Sequence, residues 1–119
     1  MDDFRKRFSE RLIAYAIDAI ALSGELRKKP PFYPIADQYL RSATSIGANV
    51  TEARASSSRK DYTRFFEIAL KSANEAGYWL VLIERSLPEL ADRAQQLRRE
   101  NDEIAKILGR SVKSLKDNQ

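Results

Sequence analysis

Apolar residues recur along this chain at steps of three and four, the spacing of one face of an α-helix. The pattern is interrupted at three places: by prolines within residues 30–34, by the serines 56–58 and by Pro88. Proline does not fit inside a helix and serine favours helix ends, so each interruption predicts a break. The chain is therefore predicted to form four helices, near residues 4–28, 35–54, 59–86 and 89–116.

Only a few residues separate each predicted helix from the next. Short connections make consecutive helices antiparallel neighbours. A chain of 119 residues is also the size of one domain with one core. We therefore expect an all-α protein, an antiparallel up-down-up-down four-helix bundle that occupies residues 1–119 as a single domain.

The first predicted helix differs from the others because it carries two apolar faces. Its aromatic face holds Phe4, Phe8, Tyr15, Leu22 and Leu26, and its isoleucine face holds Ile13, Ile17, Ile20 and Gly24. A monomeric bundle buries only one face, and exposing several large apolar side chains favours association. The alternative is a wide core stripe on a central helix.

The third predicted helix also has a second, mixed face, which holds Ile68, Ser72, Glu75 and Trp79. Mixed apolar and polar surfaces of this kind suit protein interfaces. We predict a homo-oligomer whose interface contains six residues: Phe4, Phe8, Tyr15, Leu22, Ile68 and Trp79. The alternative for this face is a tryptophan whose polar edge reaches solvent.

Composition argues against catalysis. The chain has no cysteine and no histidine, which excludes disulfides, Cys/His zinc sites and imidazole acid–base chemistry. Glu52, Glu67, Glu75 and Glu84 lie on predicted helices, but di-iron bundles also need histidine ligands. We expect no enzyme activity, no cofactor and no metal. We predict that Glu84 forms a structural ion pair, with a partner such as Arg54, and the alternative is a general acid.

Two other features have structural interpretations. The four glycines are isolated within helical patterns, so no glycine-rich phosphate-binding loop is present. Asn101 lies among the apolar positions of the fourth predicted helix. A buried asparagine can fix the register of packed helices at some cost in stability, and we predict that role for Asn101.

Positive charge is the remaining candidate for function. The formal net charge is +4, and a ridge of cations lies opposite the apolar stripe of the fourth predicted helix: Arg99, Lys106, Arg110 and Lys113. The second break adds Arg54, Arg59 and Lys60. These residues could bind the phosphates of nucleic acid, especially if an oligomer repeats them, and the alternative is an ordinary solvated helix face. No aromatic residue is interleaved with them in the sequence, which favours contacts to the backbone over base stacking.

The sequence also indicates where the protein resides. Its start lacks the pattern of a signal peptide, and no run approaches the roughly 20 apolar residues of a membrane span. The absence of cysteine suits a reducing compartment. We expect a cytoplasmic protein without membrane contact.

The segment 38–75 resembles one known family. The resemblance is carried by residues in helical register across the second break: Gln38, Arg41, Ala43, Ser45, Ile46, Ala48, Asn49, Val50, Glu52, Ser58, Tyr62, Arg64, Phe65, Ile68, Ala69, Ser72 and Glu75. On these residues the chain is similar to the four-helix-bundle family of the 23S rRNA intervening-sequence proteins. It is also similar to the accessory variability protein of diversity-generating retroelements. Where many members have Ile-Pro-x-Asn-Ile-x-Glu-Gly, residues 46–53 lack the proline, which predicts a straighter second helix.

The resemblance implies an antiparallel four-helix bundle, a ring expected to be a pentamer, and a basic surface for RNA or other nucleic acid. The rival interpretation is a scaffold or adaptor that binds a protein, for example a reverse transcriptase, without binding nucleic acid itself. Four polar residues of the resemblance lie off the predicted core stripes: Asn49, Glu52, Ser72 and Glu75. We expect them to make polar contacts between helices or between subunits.

Overall fold

The computed structural model describes residues 2–118, and every regular element in that range is helical. It contains four α-helices: α1 (Asp2–Leu26), α2 (Tyr33–Ala55), α3 (Arg59–Ser86) and α4 (Ala91–Asp117). Short 3-10 helices, Pro30–Phe32 and Pro88–Leu90, precede α2 and α4. The prediction of an all-α four-helix protein is confirmed.

The helix ends follow local chemistry. Ser58 caps α3, because its side chain accepts a hydrogen bond from the backbone N–H of Asp61 at 3.0 Å. α2 begins at Tyr33, two residues before the predicted start, with Pro34 in its first turn. Proline is tolerated there because the N–H it lacks would have no partner within the helix. α2 then continues without a break to Ala55.

The helices pack as an antiparallel bundle. α2 lies against α1 and α3, and α4 lies against α3 and α1. The molecule measures 46 × 24 × 21 Å. One end of the bundle therefore gathers the start of α1, the turn between α2 and α3, and the end of α4. We call this end the basic end, for the cations described below.

The aromatic face of α1 belongs to the core of the single chain. Phe8 is 3%, Tyr15 2% and Leu22 0% exposed. Since burying a large apolar side chain is worth about 1.5–3 kcal/mol, this face packs against the other three helices. The prediction that these three residues form an oligomer interface is therefore wrong, because they have no surface left for a partner.

The isoleucine face of α1 points outward instead. Ile13, Ile17 and Ile20 are each more than half exposed, at 54%, 59% and 55%. A surplus apolar face on α1 is thus present, but it is the one opposite to the face assigned to the interface.

A chain of buried polar groups links all four helices. The Tyr39 hydroxyl of α2 donates to the Tyr15 hydroxyl of α1 at 3.2 Å, and Tyr15 donates to the Asn101 Oδ1 of α4 at 2.6 Å. The Asn101 Nδ2 in turn donates to the carbonyl of Ala73 in α3 at 2.8 Å. Burial raises the pKa of both tyrosines, which keeps their hydroxyls protonated as donors.

Gly77 provides room for this network. A Cβ at this position would lie 3.1 Å from the Asn101 Nδ2, closer than ordinary van der Waals contact. The absence of a side chain therefore lets the Asn101 amide approach the backbone of α3.

Candidate nucleic-acid interface

The basic end brings together cations from four separate parts of the sequence. The Arg59 guanidinium, at the start of α3, donates to the carbonyl of Leu115 near the end of α4 at 3.2 Å. Among the side chains of residues 3–118, most cations without a carboxylate partner within 4.0 Å lie at this end: Arg5, Lys6, Arg7, Arg54, Arg59, Lys60 and Arg110. Unpaired, partly exposed cations are the groups that attract phosphate.

The fold places the predicted cations of α4 at different distances from this end. Arg110 lies at the basic end, while Arg99 lies eleven residues earlier on α4, about 16 Å along the helix axis. Lys106 contacts Glu103 at 3.7 Å and Lys113 contacts Asp117 at 3.2 Å, both in exposed pairs. Such pairs are weak, so these lysines remain available to a phosphate.

Arg54 has a different partner from the predicted one. Its Nη1 donates to the carbonyl of Arg5 at 3.1 Å and to the Ser9 Oγ at 2.7 Å, which ties the end of α2 to the start of α1. The Glu84 carboxylate instead accepts from Arg98 at 2.8 Å. The structural ion pair predicted for Glu84 is therefore present, but its partner is not Arg54, because Arg54 lies at the basic end of α2 whereas Glu84 lies near the far end of α3.

An open cavity of about 730 Å³ lies among these cations. Its lining residues come from α1, α2, α3 and α4: Phe4, Arg5, Phe8, Arg54, Tyr62, Phe66, Ile107, Arg110, Ser111, Ser114 and Leu115. The volume falls in the range of about 300–1,000 Å³ that is typical of ligand pockets. Although no aromatic residue is interleaved with the predicted cations in the sequence, folding places aromatic side chains of α1 and α3 beside Arg5, Arg54 and Arg110.

The sequence pattern predicts Arg54 and Arg110 of this cavity but not Arg5, Ser111 or Ser114. It assigns Phe4 and Phe8 to an oligomer interface instead. The only local signal was the pair of serines next to Arg110, since hydroxyls beside a cation suit phosphate. The rest required the pairing of helix ends in space.

Of the four polar residues in the family resemblance, Asn49 and Ser72 take part in a contact between two helices, whereas Glu52 and Glu75 do not. The Ser72 Oγ of α3 donates to the Ser45 Oγ of α2 at 3.0 Å, and the Asn49 amide donates to the same hydroxyl at 2.9 Å. This contact lies between α2 and α3. Glu75 accepts from the Trp79 Nε1 at 3.1 Å within α3, and Glu52 is exposed without a hydrogen bond to any described side chain.

Three residues assigned to the interface retain exposed surface. Phe4 is 49% and Ile68 36% exposed, and Trp79 is partly buried.

Within residues 2–118, no cluster of three or more carboxylates could hold a metal ion. No helix in the same range is long and apolar enough to cross a membrane.

Fold and site together define a small antiparallel four-helix bundle with a basic, aromatic-lined cavity at one end. The chain belongs to a known family: the model of the 23S rRNA-intervening sequence proteins matches residues 8–110. A crystal structure from Bacteroides thetaiotaomicron, of a protein of unknown function from the S23 ribosomal protein family, has the same fold. It is 33% identical, with a TM-score of 0.83 over 89% of this chain and 98% of that one. A comparison with curated proteins gives no significant match.

Proposed function

We propose that this protein is an oligomeric helical bundle that binds RNA or other nucleic acid through phosphate contacts at its basic end. The observation that carries the proposal is the convergence of Arg5, Arg54 and Arg110 on one open cavity without a carboxylate partner among the described side chains. Family membership supports it, since the family is named for a sequence inserted in ribosomal RNA.

The neighbouring carboxylates do not neutralise this site. Glu67 contacts Lys116 at 2.5 Å, Asp61 lies 3.8 Å from Arg64, and Asp117 pairs with Lys113. These three acids already have cationic partners, and the described cations at this end outnumber the carboxylates even with the unpaired Asp3 and Glu52 counted, so the net charge around the three arginines is positive. A phosphate would supply the missing counter-charge, and guanidinium groups bind phosphate in bidentate geometry.

A salt titration tests the proposal. Contact of three arginines with phosphates predicts that the affinity for single-stranded RNA falls roughly 20-fold between 50 and 200 mM salt, as expected from counterion release. Fluorescence anisotropy with a labelled oligonucleotide measures the dissociation constant at each salt concentration. An absence of binding at the lower salt concentration would contradict nucleic-acid binding and favour the protein-binding scaffold.

We propose that the isoleucine face of α1 is the surface that self-associates. Ile13, Ile17, Ile20 and Gly24 are spaced by four, three and four residues, which matches a seam between two packed helices. The segment 13–24 holds a single charged residue, Asp18. A second copy of the chain that covers this face would bury three large side chains now exposed to water. The pentamer implied by the family resemblance is one stoichiometry this contact could support.

Ile17→Glu is expected to dissociate the oligomer into single chains, because it places a charge in the centre of the isoleucine face. Light scattering of the purified protein measures the mass before and after the change. Tyr33→Glu is the matched control, since Tyr33 is 44% exposed and lies outside that face. A wild-type protein that is monomeric at micromolar concentration, or an Ile17→Glu variant with unchanged mass, would contradict the assignment.

A further inference from the structure

Two stacked aromatic pairs line the cavity of the basic end. The rings of Phe4 and Phe8 on α1 are nearly parallel, at 8°, with centroids 6.1 Å apart. The rings of Tyr62 and Phe66 on α3 are 4.9 Å apart at 14°. In each pair the inner ring is buried, as Phe8 and Phe66 are both 3% exposed. The outer rings, Phe4 and Tyr62, keep accessible surface on the cavity.

Phe4 offers the larger accessible surface. It is 49% exposed, whereas Tyr62 is only partly exposed. One side of the Phe4 ring faces the buried Phe8 ring, and its other side is open to the cavity. An exposed aromatic ring is a surface on which a nucleic-acid base can stack.

The polar groups of the cavity suit the phosphate and the sugar of a nucleotide. Arg5 and Arg110 reach it from α1 and α4, and Arg54 is fixed by its bonds to the Arg5 carbonyl and to Ser9. Ser111 and Ser114, one turn apart on α4, add hydroxyl groups. Cations and hydroxyls are the groups that contact phosphate and sugar in nucleic-acid complexes. Aromatic rings and side chains that can bind phosphate thus line the same cavity.

We propose that this cavity takes an unpaired nucleotide of an RNA strand, with its base stacked on Phe4 and its phosphate bound by Arg5, Arg54 and Arg110. The inference rests on the proposed nucleic-acid binding and specifies it. Base pairs hold their bases inside a helix, where the faces are covered by neighbouring bases, so only an unpaired nucleotide can present a base to Phe4. The protein should therefore prefer single-stranded over fully paired RNA.

Phe4→Ala tests the stacking. The wild-type chain is expected to bind an unstructured oligouridine strand more tightly than the same strand paired with its complement. Phe4→Ala should weaken binding to the single strand about tenfold, from the loss of one base–aromatic contact, and leave binding to the duplex within about twofold. Fluorescence anisotropy at one fixed low salt concentration gives both dissociation constants. Tyr78→Ala is the matched control, because Tyr78 is 57% exposed on α3 and lies outside the cavity.

Each other outcome overturns the inference. Equal affinity of Phe4→Ala and wild type for the single strand would show that Phe4 does not stack on a base, while the salt-dependent phosphate binding would still stand. No binding of either RNA by the wild type would overturn the proposed function as well. A lower mass of Phe4→Ala in light scattering would assign Phe4 to contacts between copies of the chain. Binding of free uridine monophosphate as tightly as the strand would assign the cavity to a small molecule.

Discussion

Asn101→Ala is expected to lower the free energy of unfolding by about 3 kcal/mol, the largest effect of any single change considered for this chain. The substitution removes two buried hydrogen bonds, one to the Tyr15 hydroxyl and one to the Ala73 carbonyl. It leaves the Tyr15 hydroxyl without its acceptor in the core, although that hydroxyl still accepts a hydrogen bond from Tyr39, and it opens a space beside Gly77. Urea denaturation followed by circular dichroism at 222 nm, a standard helix signal, measures the loss.

Asn74→Ala is the matched control for this prediction. Asn74 is exposed on α3, so removing its amide breaks no buried hydrogen bond, and its effect should stay within about 0.5 kcal/mol. Tyr15→Phe should cost about 1 kcal/mol, and the double variant Tyr15→Phe, Asn101→Ala should cost less than the sum of the two. Additive effects would show that Tyr15 and Asn101 are not coupled, and a near-neutral Asn101→Ala would show that the network contributes little stability.

The second large effect concerns RNA binding. Reversing two charges at the basic end, with Arg59→Glu and Arg110→Glu, is expected to weaken binding at least about 100-fold at low salt, since the phosphate contact of Arg110 is lost and two repulsive charges are added beside the site. The slope of log affinity against log salt should fall by about 0.7, the value of one phosphate contact on a single strand. Anisotropy titrations measure both, and circular dichroism shows whether helicity is unchanged.

The control carries the same change in net charge at the opposite end of the bundle. Lys28→Glu with Arg85→Glu alters two exposed cations near the ends of α1 and α3. If the basic end is the binding site, this variant should lose much less affinity, because the added charges lie farther from the phosphates than the Debye length of about 10 Å at 0.1 M salt. Equal losses would indicate a general effect of net charge, and unchanged binding in the Arg59, Arg110 variant would place the site elsewhere on the molecule.

The proposed association surface shows what the apolar spacing can predict about α1 and what it cannot. The pattern correctly gave α1 two apolar faces, yet it could not rank them, because both have the spacing of a packed helix. The aromatic face with Tyr15 is predicted as the oligomer interface but lies in the core, since the position of Tyr15 relative to Asn101 is not encoded in the residues next to either. The structure resolves the ambiguity: Tyr15 bonds to Asn101 inside the bundle, and Ile17 faces outward.

The same distinction applies to ion pairs. The helical spacing places both Glu84 and Arg54 near the core side of their helices, which suggests that the two side chains form an ion pair with each other. Antiparallel packing instead sets Glu84 beside Arg98 on α4 and leaves Arg54 at the other end. The spacing of residues in the sequence gives the direction of a side chain around the helix axis. The side chains that it meets on other helices also depend on its position along the length of the bundle.

By itself the sequence determined the four helices, their breaks and their antiparallel order, because proline, serine and apolar spacing act over a few residues. It also showed that Asn101 is a polar residue at a core position. Only the tertiary structure decided which face of α1 is buried and that Phe4, Arg54 and Arg110 share a cavity. Those residues are up to 106 positions apart in the chain, and side chains so distant meet only when packing sets the register of one helix against another.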